Sequence, residues 1–210
     1  MRKLLLSAVL SLPLLASAGP VNLLINGSFE DTSAQAGIQG IASGTWQNFL
    51  SLPGWTSNAN GIEVRHNVSG TAQDGNNFVE LDTTRNSVAM QSLSTIAGAM
   101  YDLSFYFAAR PGTGGMASDT NNISVFWNGV ELGLITGVSA NKHNWLRYNF
   151  SVLGTGGNDS LEFRAAGTSD SYGGSLDNVS LAVPEPGSIA LVLGGLLAAG
   201  AARRRQARKA

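Results

Sequence analysis

The chain has 210 residues, no cysteine, and 13 basic against 14 acidic side chains, for a formal net charge of −1. The missing sulfur excludes disulfide staples and thiol chemistry. With the two ends set aside, Gly19 to Ala182 carries 6 basic and 13 acidic residues, a net −7. This argues against nucleic acid as a partner and suits a neutral or cationic ligand, or a divalent cation.

Arg2 and Lys3 precede the apolar run Leu4 to Leu15, and Ala16-Ser17-Ala18 is an Ala-x-Ala cleavage site. This predicts a secretory signal peptide over 1–18, with the mature chain starting near Gly19. Residues 19–182 then fit one domain. Glycine, serine and asparagine are abundant there and lysine is nearly absent, a turn-rich β composition.

Val21 to Ile25 reads as a first short strand, followed by a loop of weak periodicity to about Leu52 in which Trp46 and Phe49 act as pins. Pro53-Gly54-Trp55 is a turn delivering a tryptophan to the core. Ile62 to His66 alternates apolar and polar, Asp74-Gly75-Asn76-Asn77 is a turn, and Phe78 to Leu81 and Val88 to Leu93 follow as strands. The longest strand is Met100 to Arg110. Tyr101, Leu103, Phe105 and Phe107 share one face; Asp102, Ser104, Tyr106 and Ala108 share the other. Asn128-Gly129 joins Ile123–Trp127 to Val130–Ile135 as a hairpin, because both central residues need positive φ. Trp145 to Leu153, Leu161 to Arg164 and Leu176 to Leu181 complete about nine short strands with no helix among them. Regular strands and turn signals predict an all-β sandwich or barrel.

After Val183 the chain reads Pro184-Glu185-Pro186, then the uncharged run Ile189 to Ala202, then Arg203-Arg204-Arg205 with Arg208 and Lys209 behind. The run makes roughly 21 Å of helix at ~1.5 Å per residue, a marginal span, and the arginines would stop transfer on the cytoplasmic side. Motif, short span and basic end together resemble the PEP-CTERM sorting signal of Gram-negative bacteria, here residues 183–210. The resemblance implies an exosortase that cleaves near the Pro184-Glu185-Pro186 motif. It further implies an inner-membrane intermediate, and a product at the cell surface or outside.

Three segments of the body, Asn26-Gly27-Ser28-Phe29-Glu30, Pro53-Gly54-Trp55 and Leu176-Asp177-Asn178-Val179, are similar to those of galactose-binding-like jelly rolls, which include many carbohydrate-binding modules. The middle of the chain resembles a subgroup found in plant cell-wall proteins and in PEP-CTERM bacterial proteins. The resemblance implies two antiparallel sheets packed face to face, with first and last strands adjacent. It also implies a structural calcium in many members, at positions matching Glu30 and Asp177 here and completed by backbone carbonyls.

Sugar recognition needs an apolar face for ring C–H groups and polar side chains for hydroxyls. Tyr106 points away from the apolar face of its strand, on the side of Arg110. With Arg147 and Asn149 it forms the candidate carbohydrate patch, with Trp46 in the long loop as a further candidate. Trp55 and Trp127 read as core. Arg65 and His66 are placed to meet Glu63 and Glu80 in weak cross-strand pairs, and His143 in its turn reads as exposed. The two histidines lack zinc-ligand spacing, and no acid pair is marked as catalytic. The leading expectation is a non-enzymatic exported sandwich that binds extracellular polysaccharide. A structural or adhesive matrix protein without a sugar site is the alternative, and a glycan-processing enzyme the least favoured reading.

Overall fold

The computed structural model describes residues 21–33 and 40–183. The signal peptide over 1–18, the motif Pro184, Glu185 and Pro186 and the C-terminal apolar helix lie outside the described residues. Twelve strands are present: β1 (Thr45–Phe49), β2 (Ser51–Leu52), β3 (Trp55–Thr56), β4 (Ile62–His66), β5 (Asn77–Glu80), β6 (Val88–Ser94), β7 (Met100–Ala108), β8 (Asn122–Trp127), β9 (Val130–Ile135), β10 (Leu146–Leu153), β11 (Asn158–Ala166) and β12 (Ser175–Ala182). They form two six-stranded antiparallel sheets, β1-β4-β5-β12-β7-β10 and β2-β3-β6-β11-β8-β9. The described residues contain no helix. This is the two-sheet jelly-roll sandwich that the resemblance implies.

Period-two alternation sets the core. Tyr101, Leu103, Phe105 and Phe107 of β7 are buried, as are Ile123, Val125 and Trp127 of β8. Trp55 is fully buried, 5.2 Å from Phe29 and 6.3 Å from Phe163 between ring centres. Phe163 meets Phe105 at 5.0 Å, so one aromatic chain crosses from sheet to sheet. Asn128 and Gly129 sit at φ 50° and 76°, the geometry the hairpin between β8 and β9 requires.

Two expectations need correction. Residues 21–25 are not a strand: Asn22 makes one isolated bridge to Ala182, extended by the Leu23 N–H donating to the Leu181 carbonyl at 2.8 Å. The bulged end of β12 leaves room for only that much pairing. Thr45–Phe49, read as loop, is the edge strand β1. Its sequence hides this because an edge strand packs few side chains: Phe49 is buried, whereas Trp46 is 53% exposed and pins nothing. Similarly, Leu146 at the start of edge strand β10 is half exposed although it follows the inward phase of Val152.

The N-terminal segment is locked onto a bulge in β12. The register with β7 shifts between Asp177 and Ser180, and Asn178 there has φ 47°. The Val179 N–H donates to the Gly27 carbonyl at 2.9 Å, and Asn22 Nδ2 donates to the Val179 carbonyl at 3.2 Å. A Cβ on Gly27 would collide with the Val179 carbonyl, whereas one on Gly115 would meet nothing within 4 Å. Gly27→Ala is therefore expected to cost about 1–3 kcal/mol in urea unfolding and Gly115→Ala less than about 0.5 kcal/mol. Equal midpoints for the two variants would remove the lock from the account.

Candidate functional site

The outer face of the β1-β4-β5-β12-β7-β10 sheet holds the chain's concentrated polar chemistry. Register sets two rows across it. In one, Trp46 lies opposite Arg65 and Arg65 opposite Phe78, while Asp177 lies opposite Tyr106 and Tyr106 opposite Arg147. In the other, Asn48 faces Glu63, Glu63 faces Glu80, Glu80 faces Ser175 and Ser175 faces Ala108.

The central part of this face is roofed. Phe78, apolar on a polar face, is fully buried because His143 and Trp145 stack edge-on against it, 4.8 and 6.0 Å between ring centres. His143 Nδ1 lies 2.9 Å from the Thr71 carbonyl and Nε2 lies 3.1 Å from Ser175 Oγ. This geometry makes Nδ1 the protonated nitrogen and Nε2 the acceptor. Burial lowers the His143 pKa, with the Thr71 carbonyl opposing and the Arg65 charge assisting, so the ring is neutral. Trp145 Nε1 donates to the same Thr71 carbonyl at 3.0 Å. His143 is thus a packing residue, not the exposed turn residue its polar neighbours suggested.

Beneath the roof, Glu63, Arg65 and Glu80 are all buried. Arg65 pairs with Glu63, and its Nε lies 3.2 Å from Glu80 Oε2; Arg110 Nη1 lies 2.8 Å from Glu80 Oε1. The Gly173 N–H adds a bond to Glu80 at 3.1 Å. Burial pushes Glu80 up to about 7 against the pull of Arg65 and Arg110, and burial likewise raises Glu63. The weak surface pairs expected here are a desolvated network of two arginines and two glutamates. Removing one member leaves a buried charge unmatched.

The predicted patch is only partly assembled. Tyr106 and Arg147 are direct cross-strand neighbours and Asn149 lies two residues along β10, opposite Ser104. Arg147 and Asn149 are exposed and Tyr106 is half-buried. Arg110 leaves this group: Glu80 and the Ser171 carbonyl hold it, and its guanidinium lies 4.4 Å over the Tyr172 ring. Trp46 sits on β1, at the opposite edge from β10. Four strand spacings at ~4.8 Å put it roughly 19 Å from Tyr106 on β7, too far to share a sugar ring. Sequence periodicity fixes which face a residue takes, but not the order of strands across it.

Glu30 and Asp177 both clamp the loop between β4 and β5. Glu30 Oε1 accepts the Asn76 and Asn77 N–H groups at 2.8 and 2.7 Å. Asp177 Oδ2 accepts those of Gln73 and Asp74 at 2.7 and 3.0 Å, and Oδ1 accepts that of Asn178 at 2.6 Å. Five amide hydrogens therefore point at three of the four carboxylate oxygens an ion would need, and calcium asks for six to eight oxygens. The residues as folded do not fit a calcium shared between Glu30 and Asp177; the loop's own amides take its place. No group of three or more His, Asp or Glu that could hold a metal occurs among the described residues.

Comparison with known proteins fits this geometry. The sandwich has the fold of a carbohydrate-binding module: the structure of TmCBM61 in complex with beta-1,4-galactotriose matches with a TM-score of 0.51 at 16% identity, covering 78% of this chain and 99% of that one. The chain belongs to the family described as protein of unknown function (DUF642), whose model matches residues 22–182. A second match, the PEP-CTERM protein-sorting motif, covers residues 182–206 and marks the chain for export to the cell envelope or surface. The multifunctional-autoprocessing repeats-in-toxin of Vibrio cholerae serotype O1 is 30% identical over 163 residues, 75% of this chain, and that of Vibrio vulnificus is 29% identical over the same length. The chain spans about 3% of the length of these curated relatives.

Two outcomes follow from the clamp. Burial pushes Asp177 up to about 7, against its bonds from Asp74, Gln73 and Asn178. Because the folded value lies above the ordinary value of about 3.9, its stabilising contribution is complete below about pH 4 and is lost as pH rises to about 7. The unfolding free energy should fall over that window, and Asp177→Asn should remove the share of one group, up to about 1.4 kcal/mol per pH unit, leaving the share of Glu80, which burial also pushes up to about 7. A midpoint independent of pH in the native protein contradicts this. Secondly, a chelator should leave the melting temperature where it is. A drop of several degrees that calcium reverses would restore the ion.

Proposed function

We propose that the body is a non-catalytic exported sandwich that binds polysaccharide at the cell surface or in the extracellular matrix. The observation that carries this is the uncovered part of the outer face. There the half-buried Tyr106 ring lies between strands and is flanked by the exposed donors Arg147 and Asn149. A ring face beside planar donors suits sugar C–H groups and hydroxyls together. The fold shared with TmCBM61, a module solved with a galactotriose, supports the same reading. Exosortase processing near the Pro184-Glu185-Pro186 motif, after transient passage through the inner membrane, is the export route that the PEP-CTERM match supports.

A glycosidase is disfavoured by the geometry of the carboxylates. Glu63 and Glu80 face each other across β4 and β5, but both are buried and bound to arginine, whereas catalytic acids flank an accessible cleft. The structural or adhesive alternative keeps one observation in its favour. Val130 and Leu134 on edge strand β9, with Val138 just beyond it, are exposed apolar residues at a strand edge.

Affinity electrophoresis against a panel of neutral and acidic polysaccharides tests the proposal. Tyr106→Ala should weaken retardation by about tenfold, the loss of one stacked ring, with an unchanged melting temperature. Self-association without retardation on any glycan would transfer the function to the β9 edge.

A further inference from the structure

A cavity of about 210 Å³ opens where β7 ends and β10 begins. Phe107, Val138 and Leu146 give it apolar walls, and Thr136, Lys142 and Asn144 bring polar groups to it. It lies on the inner side of the start of β10, whereas Tyr106 and Arg147 lie on the outer side of the same strand pair. The two surfaces therefore meet around one strand end.

The charges at this place run against those of the rest of the body. Of its six cations, Arg65 and Arg110 are committed to Glu63 and Glu80, and Arg164 to Glu162. Among the described residues that leaves Arg85, Lys142 and Arg147 without an ion pair. Two of those three bracket the first residue of β10 and both are exposed. Of the acids on this sheet, Glu80 binds two arginines and Asp177 is buried among amide donors, while the exposed Asp102 lies four residues along β7 from Tyr106, opposite Ser151. In a body of net −7, two unpaired cations beside a small amphipathic cavity form a local attractor for negative charge.

We infer that this cavity takes the carboxylate-bearing sugar of an acidic polysaccharide, with Lys142 as counter-charge, while the chain continues over Tyr106 and Arg147. The inference rests on the reading of the outer face as a glycan surface and names the class of glycan. Thr136 and Asn144 offer partners to hydroxyls, and Phe107 and Leu146 offer contact to ring C–H groups. The carboxylate makes a charge-assisted bond to the Lys142 ammonium. The net negative charge of the body disfavours polyanions over most of its surface, which favours this end.

Titration of the full chain with polygalacturonate and with beta-1,4-galactan tests it. Near ~0.01 M salt, where the screening length is about 30 Å, polygalacturonate should bind about tenfold more tightly than galactan, the worth of one charge-assisted bond. Lys142→Gln should abolish that preference and Lys142→Arg should keep it. Raising salt to ~0.15 M should shrink it, since screening then acts within about 8 Å. Equal affinity for the two glycans, or a preference that survives Lys142→Gln, overturns the inference and leaves the carbohydrate reading standing. Failure to bind either glycan, with the fold intact, overturns the inference, and failure across the whole polysaccharide panel overturns the carbohydrate reading as well.

Discussion

The closure between the first residues of the body and its last strand is the constraint on which the rest depends. Asn178 takes a left-handed conformation, β12 bulges, and the displaced Val179 peptide bonds to Gly27 and Asn22. The same N-terminal segment offers the Asn26 carbonyl to Trp55 Nε1 at 3.0 Å, and Ile25 exchanges backbone bonds with the Gln91 side chain at 2.7 and 3.0 Å. One short segment thereby ties β12 of one sheet to β3 and β6 of the other. A domain with no disulfide needs such a tie, because its ends would otherwise fray from the edges of the core. Trp55 is the hinge of the arrangement: its ring fills the centre while its N–H caps the segment that closes the sandwich.

This closure also decides what happens on the outer face. The bulge lies directly after Asp177, whose carboxylate gathers the amides of the β4–β5 loop. Glu30, at the end of the N-terminal segment, holds the other end of that loop. So clamped, the loop presents the Thr71 carbonyl to His143 and Trp145, and the roof over Phe78 forms. Burying charge under such a roof is costly unless every charge is matched. Glu63, Arg65, Glu80 and Arg110 pair opposite charges there, and burial still raises both carboxyl groups. The face is thus divided into a sealed half, whose charged groups are ion-paired, and an open half at β7 and β10, where Arg147 and Asn149 are exposed.

The exposed edges belong to the same division. β10 and β9 end their sheets, and the side chains along them are only partly covered. The six-residue strand β9 carries a single charge, Glu131, little of the protection edge strands usually carry. A polysaccharide laid along the β7–β10 end would cover part of that side, which links the glycan reading to the tolerance of an apolar edge in an exported protein.

Much of this was legible in the residues. Alternation fixed the core faces of β7 and β8, and Asn128-Gly129 fixed a hairpin, because side-chain period and positive φ are local properties; in β12 the bulge after Asp177 breaks the alternation. Tyr106 and Arg147 fell on one face for the same reason. The low-periodicity strand β1 was not legible, since an edge strand needs no apolar rhythm. Nor was the fate of Arg110, Trp46, Glu30 and Asp177, each of which has a face set by local phase and a partner set by distant chain. Glu80 lies 30 residues from Arg110 in sequence, and Asp177 lies 104 from Gln73. By itself, then, the sequence determined the all-β class, the burial phase of its strands and the sorting motif, all written in neighbouring residues. Strand order, the roof and the pairing of buried charges were decided only by the tertiary structure, because they depend on which strands become neighbours once the sandwich closes.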